Sequence, residues 1–318
     1  MAMADFIFTP SSKLAILKGM NTHPQKTRIA PSPTGYLHLG HAYSVWLTLA
    51  LAKSMGLEVI IRVENIDQIR CKPEYIAALT EDLATLGCTS QAPVVYQADC
   101  FEVYQKALTQ LAAFLYPCTC TRADLQDQQA EVYTGHCRHK TMADIDPSTP
   151  YALRLNMAKA IAYLKENNQW PLSFTDAKKG RVTAAPEHQG DVVLARKDFK
   201  TSYHLSVVVD DAAQGITHVI RGADLFEMTH IHRLLQALLG LPTPQYIHHG
   251  LIAEEGNEKL SKSAASMPLR TLIKNGLELA PLQAVFKSIG TVHDEPAEAF
   301  LKALPAEIAA PLRFKPFA

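Results

Sequence analysis

The sequence predicts an α/β chain built on a doubly wound parallel sheet of the Rossmann type, and three observations lead there. Short apolar strands alternate with amphipathic or apolar helical stretches in the order β-α-β-α over the first third of the chain. The second strand, Glu58 to Val63, is apolar enough to be buried on both faces, as in a parallel sheet covered by helices. A proline- and glycine-punctuated turn joins the first strand to the first helix, the place where such sheets hold phosphate.

The elements follow in order. A strand is expected from Lys26 to Ala30, then the turn Pro31-Ser32-Pro33-Thr34-Gly35, then a helix through the apolar run Ala42 to Met55. After the second strand, helices fit Glu74 to Leu86 and Cys100 to Leu115, the latter stopped by Pro117. From Cys118 to about Pro186 the pattern changes to a cysteine-rich knot with a Pro-Ser-Thr-Pro break, which reads as an insertion into the sheet domain. Strand character returns at 191–195, at Tyr203 to Val209 and at Thr217 to Arg221, before a helix from about Thr229 to Leu239. After the Lys259 to Ser263 segment the remainder is expected to be short and helical. The organisation is therefore an extension at 1–25, a first half of the nucleotide-binding domain at 26–117, and the insertion at 118–186. A second half at 187–240 and a terminal segment at 241–318 complete it.

Composition narrows the class. A chain of 318 residues can bury a large core, and 47% hydrophobic with 19% charged residues excludes a disordered chain. Formal net charge is zero, so no global basic field exists and a nucleic-acid partner must be gripped by local patches. No apolar run reaches membrane-spanning length, and the first residues lack a secretory signal's basic and apolar regions. Six cysteines, two of them one residue apart, point to thiols and metal in a reducing compartment rather than a disulfide scaffold. A cytoplasmic monomer is the expectation.

Two segments carry the phosphate chemistry. In Arg28-Ile29-Ala30-Pro31-Ser32-Pro33-Thr34-Gly35-Tyr36-Leu37-His38-Leu39-Gly40-His41 the two histidines stand three apart at a helix start, on one face of its first turn. Far downstream, Lys259-Leu260-Ser261-Lys262-Ser263 offers two ammonium groups. His38, His41, Lys259 and Lys262 are thus four expected cations for charge that builds on phosphate oxygens as pyrophosphate leaves ATP. Arg28, at the carboxyl end of the first strand, suits a carboxylate clamp, with a surface ion pair as the alternative. Glu64 directly follows the second strand and suits an ammonium or a helix cap. Tyr203 opens an expected strand, where core packing is the commoner role, and Arg221 closes the next. Cys118, Cys120 and Cys137 supply three thiolates for Zn²⁺, and chemistry alone nominates His136 or His139 as the fourth ligand.

The pair HLGH and KLSKS, in this order and about two hundred residues apart, resembles the signatures of class I aminoacyl-tRNA synthetases. The stretches RIAPSPTG, RVENID, YHLSVVVDD and HVIRGAD narrow the resemblance to the glutamyl-tRNA synthetase catalytic domain across about residues 26–265. That resemblance implies that Arg28, Ala30, Ser32, Glu64, Tyr203 and Arg221, with Ile29 and Pro31 of the same turn, line a glutamate site. It implies that His38, His41 and Lys262 contact ATP carried with Mg²⁺. Departures stand at Tyr36, Asn65, Ile66, Val207 and Leu225. The pattern C-x-C followed by Y-x-x-x-C is similar to that of the glutamyl-queuosine tRNA(Asp) synthetases, which implies Tyr133 as the fourth zinc ligand. Only about fifty-five residues follow Ser263, too few for an anticodon-reading domain, and that branch is truncated in this way.

The function implied is ATP-dependent activation of L-glutamate without tRNA, then esterification of the cyclopentenediol of queuosine at position 34 of tRNA(Asp). His41 departs from the serine expected in many members of that branch. The rival is a compact glutamyl-tRNA synthetase that charges a tRNA 3′ end. A small-molecule nucleotidyltransferase shares HxGH but not the RVENID and VIRGAD context.

Overall fold

In the computed structural model, which describes residues 24–90, 92–121, 123–124, 132–254 and 267–317, the chain opens with strand β1 (Lys26–Ile29), helix α1 (Leu39–Met55) and strand β2 (Glu58–Val63). Helix α2 (Pro73–Thr85), strand β3 (Val95–Tyr96) and helix α3 (Phe101–Gln110) follow. The middle carries β4 (Leu115–Cys118), β5 (Ala152–Leu155), α4 (Met157–Glu166), β6 (Ser173–Asp176), β7 (Gly180–Thr183) and β8 (Val193–Ala195). Then come α5 (Tyr203–Ala213), β9 (His218–Gly222), α6 (Met228–Leu239), β10 (Gln245–His249) and β11 (Leu251–Glu254). Short helices α7 (Leu269–Lys274), α8 (Leu279–Ala284), α9 (Ala297–Lys302) and α10 (Ala306–Ala309) precede β12 (Leu312–Lys315).

Strands β1, β2 and β3 are parallel neighbours, and so are β9, β10 and β6, with β7 antiparallel at that edge. The two groups meet where the amide of Thr217 donates to the Lys26 carbonyl at 3.0 Å and the Lys26 amide to Thr217 Oγ1 at 2.9 Å. The order is therefore β3-β2-β1-β9-β10-β6-β7, with the chain direction of construction reversing between β1 and β9. In such sheets ligands bind beyond the carboxyl ends of the strands at this reversal. Alternate strand residues enter two separate cores. Ile61, Val63, Ile220 and Ile247 pack with α1 and the C-terminal helices, whereas Ile60, Val219 and Tyr246 pack with α3, α5 and α6. That alternation is the doubly wound arrangement predicted for a sheet covered on both faces.

Strands β4, β5 and β8 form a separate antiparallel sheet that carries the cysteine knot. Within 118–186, β6 nevertheless pairs with β10 of the main sheet, Tyr246 opposite Asp176. On the far side, Tyr43 and Trp46 of α1 pack edge-on against Phe286 and Phe300, seating the C-terminal helices on the sheet domain.

The expected strand Tyr203 to Val209 is instead the start of helix α5, and the reason is local. Ser202 is an extended N-cap whose Oγ accepts the Leu205 amide, and the helix is buried on nearly every side from Leu205 to Asp211. A helix without a polar face has no amphipathic period, and its Val-Val-Val run mimics a buried strand. Pro117 does not merely stop a helix. α3 ends at Gln110, and Pro117 lies in β4 opposite Leu153.

Candidate active site

A cleft of about 590 Å³ opens at the carboxyl ends of β1, β2, β9 and β10. Arg28, Ile29, Ala30, Pro31, Ser32, His38, His41, Glu64, Tyr203 and Arg221 all line it. The predicted residues that are described therefore converge on one place. Lys259 and Lys262 lie outside the described residues. Upstream of them, Leu251, Ile252 and Ala253 line the cleft, and downstream the Leu269 amide bonds to the Leu37 carbonyl at 2.7 Å, one residue before His38.

The two histidines form a reciprocal cap on α1. His38 is the extended N-cap and its Nδ1 accepts the Gly40 amide at 3.1 Å, while His41 Nδ1 accepts the His38 amide at 3.1 Å. Each imidazole spends Nδ1 as an acceptor, so in the neutral ring Nε2 carries the proton. The rings lie 3.8 Å apart. Burial pushes His38 down to about 4, and burial with the neighbouring His38 pushes His41 down to about 3. This corrects the expectation of four cations: in the protein without ligand both histidines are neutral N–H donors, added to the backbone amides of a helix N-terminus.

Arg28 is not a surface residue. It is 5% exposed, its Nε donates to Asp211 Oδ1 at 3.1 Å and its Nη1 reaches the Ile220 carbonyl at 3.4 Å. Arg62, on the same face of the sheet, donates from Nη1 to Asp211 Oδ1 at 2.8 Å and to Gln214 Oε1 at 2.7 Å, and from Nη2 to Glu64 Oε1 at 3.3 Å. Burial pushes the Asp211 carboxyl up, but Arg28 and Arg62 outweigh it and hold Asp211 below the usual range. Glu64 is buried too, and there burial wins: its carboxyl is raised despite Arg62 and Arg28. The Glu64 amide donates to the Pro31 carbonyl at 3.0 Å, which ties the turn after β1 to the end of β2. Ile29 contributes its side chain to the core, and Ser32 is exposed at the rim.

Arg221 lies in β9, beside Tyr203 at the first turn of α5. Its nitrogens reach Tyr203 Oη, Thr229 Oγ1, the Leu225 carbonyl, His232 and His248. Sequence reasoning missed Arg62, Asp211, Thr229 and His248. The acidic pair Asp210-Asp211 is visible at the end of an apolar run, but reading that run, Tyr203 to Val209, as a strand gives no argument for pairing the acids with β1 and β2.

The cysteine knot assembles as expected. The Sγ atoms of Cys118, Cys120 and Cys137 lie within 4.8 Å of one another. Tyr133 Oη is 3.5 Å from Cys118 Sγ, 3.8 Å from Cys120 Sγ, and accepts the Cys137 amide at 2.8 Å. His136 and His139 are exposed and neither joins the cluster. Burial raises the Cys137 thiol, but hydrogen bonds from Tyr133, Cys120 and the Thr119 backbone outweigh it and bring it down to about 7. Three soft donors converging with a fourth oxygen fit a tetrahedral metal site. The guanidinium of Arg154 sits 3.7 Å over the Tyr133 ring, and Arg138 pairs with buried Asp191, so the knot is braced against β5.

These features define a class: an α/β domain in which a histidine-capped helix start opens on the same cleft as buried arginines and a carboxylate. Residues 25–296 match the family described as tRNA synthetases class I (E and Q), catalytic domain, and the chain belongs to that family. The chain is 43% identical to the Glutamyl-Q tRNA(Asp) synthetase of Rhodobacter capsulatus over 253 residues, 74% of this chain and 90% of that protein. It is 34% identical to the protein of the same name from Methylococcus capsulatus, covering 90% and 89% of the two. Its structure resembles that of a glutamate tRNA ligase from Elizabethkingia meningosepticum crystallised with its amino acid. The TM-score is 0.61 at 26% identity, over 80% of this chain and 54% of that one. This chain therefore spans about half of that ligase and most of the two shorter relatives. No helix among the described residues is long and apolar enough to cross a membrane.

Proposed function

We propose that the protein activates L-glutamate with ATP and transfers it to the cyclopentenediol of queuosine at position 34 of tRNA(Asp). A glutamate carboxylate oxygen attacks the α-phosphorus in line, the new P–O bond forms as the bond to pyrophosphate breaks, and pyrophosphate leaves with the electron pair. A queuosine hydroxyl then attacks the glutamyl carbonyl and AMP departs. His38 and His41 donate from Nε2 to oxygens on which charge grows, and Lys259 and Lys262 add ammonium groups there. Arg28 takes the side-chain carboxylate, Glu64 the α-ammonium, and Tyr203 and Arg221 the remaining carboxylate region. Mg²⁺ accompanies ATP as part of the substrate.

The observation that supports this reading most is the juxtaposition in one cleft of the histidine-capped helix start with the buried pair Arg28 and Glu64. Glutamate has two carboxylates and one ammonium, and Arg28 and Glu64, with Arg221 in the same cleft, are two cations and one anion complementary to it. The names and lengths of the relatives support the acceptor. Zn²⁺ would be held by Cys118, Cys120, Cys137 and Tyr133, where it supplies a structural cross-link for the knot. The reading is tested by ATP–pyrophosphate exchange with purified protein. Exchange that depends on glutamate and needs no tRNA is expected, and exchange that starts only when tRNA is added would favour a conventional glutamyl-tRNA synthetase.

A further inference from the structure

We propose that Asp176 and His248 are positioning residues for Arg221, holding its guanidinium so that Nη1 is the nitrogen offered to the substrate. The proposal rests on the reading that Arg221 belongs to the glutamate site.

Arg221 uses its nitrogens unequally. Nη2 donates to Thr229 Oγ1 at 2.7 Å and to the Leu225 carbonyl at 3.1 Å, and Nε donates to His248 Nε2 at 3.1 Å. Among the described residues Nη1 has only the longer contacts to Tyr203 Oη at 3.3 Å and His232 Nδ1 at 3.4 Å. A guanidinium pinned at Nε and Nη2 has one plane, and its third nitrogen is the most weakly held. Nη1 is the group that a ligand carboxylate can engage without displacing a short bond.

The pin at Nε depends on a proton that is elsewhere. His248 Nε2 must present a lone pair to accept from Arg221, so in the neutral ring the proton belongs on Nδ1. Asp176 Oδ2 lies 2.8 Å from Nδ1, and an ionised carboxylate only accepts, which sets that tautomer. Both side chains are fully buried, at 0% exposure. Asp176 is itself fixed, Oδ1 accepting the amides of Lys178 at 2.9 Å and Lys179 at 3.0 Å. Rings of Phe226, Tyr246 and Phe317 surround the imidazole, with Tyr246 stacked nearly parallel to it. That cage excludes the water that would favour an imidazolium, and burial together with Arg221 holds His248 down to about 4 although Asp176 pulls the other way.

A purely structural role would let the same contacts fasten β6 to β10 without regard to substrate. The two roles separate in kinetics. His248→Phe keeps a flat ring within the aromatic cage and removes the acceptor. It is expected to raise the glutamate KM in pyrophosphate exchange about tenfold or more, the loss of one charge-assisted hydrogen bond, with the ATP KM unchanged. Asp176→Asn is expected to do the same by placing an N–H against Nδ1 and turning Nε2–H towards Arg221, and it serves if His248→Phe does not fold. His248→Gln, which restores an acceptor oxygen, should recover part of the loss.

Arg221→Ala alone is the control on the underlying reading, and the double variant with His248→Phe tests the route of action. The proposal holds if Arg221→Ala raises the glutamate KM and His248→Phe adds nothing further in that background. Equal rises in the glutamate and ATP KM, or no rise in His248→Phe and Asp176→Asn while Arg221→Ala is impaired, would overturn it and leave the glutamate site intact. An unimpaired Arg221→Ala would overturn the site assignment together with the proposal.

Discussion

Arg28→Ala should cripple glutamate recognition while leaving the fold standing, and the structure says why the two effects part. Asp211 accepts from both Arg28, at 3.1 Å, and Arg62, at 2.8 Å. Removing Arg28 therefore does not orphan the buried carboxylate, because the stronger partner stays. A buried substrate carboxylate that loses its guanidinium has no such reserve, since Arg62 is already committed to Asp211, Gln214 and Glu64. Breaking one side of a buried charge pair costs about 3–5 kcal/mol, roughly two to nearly four orders of magnitude in affinity. The assay is glutamate-dependent pyrophosphate exchange, read as KM beside a thermal melt. Glutamine should not rescue the variant, because the lost partner was a cation and not a size constraint. Arg28→Lys should fall between, keeping charge without the fork. A glutamate KM within threefold of wild type would place the side-chain clamp elsewhere, with Arg221 the next residue to test.

Other consequences follow from the same geometry. Lys262→Ala should lower the activation rate by about 2–4 kcal/mol, with little change in glutamate KM, because its ammonium acts on charge that grows in the transition state; unchanged turnover would remove it from the mechanism. Metal analysis should give about one Zn²⁺ per chain. Tyr133→Phe should loosen it and His136→Ala should not, and the reverse pattern would return the fourth position to histidine. Stability should fall on acidification from pH 7 to 5. His38, His204 and His248 sit at about 4 and His41 at about 3 because they are buried, whereas unfolded they titrate near 6.5. The unfolded chain thus binds more protons across that window, so stability rises with pH through it. Asp210, pushed up by burial to about 6, and the raised Glu64 work in the opposite sense but are outnumbered by the buried histidines, His232 among them. A melting temperature that is flat or rises towards pH 5 would contradict neutral buried imidazoles.

The histidine side of the cleft is legible in the sequence because its geometry is local. HLGH places both histidines on a helix start, and Pro31 to Gly35 fixes where that start falls, so three-residue spacing alone brings the rings together. The charge state was not readable, because burial, not residue type, sets it. Arg28 and Glu64 could be placed at strand ends, since a doubly wound sheet directs those positions to one cleft. Their partners could not, because Asp211 is 183 positions from Arg28 and follows a run that reads as a strand but folds as a helix. Strands β3 to β7 and β10 to β12 run only two to five residues, too short for a period to show even where, as in β10, the strand is buried inside the sheet. The knot shows both cases: C-x-C and the third cysteine declare three donors, but only the fold brings Tyr133 Oη among them and leaves His136 outside.

The most direct test of the account is the fate of labelled glutamate offered with ATP to tRNA(Asp) with and without queuosine. The account predicts transfer only to the queuosine-containing tRNA, with the label retained after removal of the 3′-terminal adenosine. Label lost with that adenosine, or equal transfer to both tRNAs, would contradict it and identify a 3′-end charging enzyme instead.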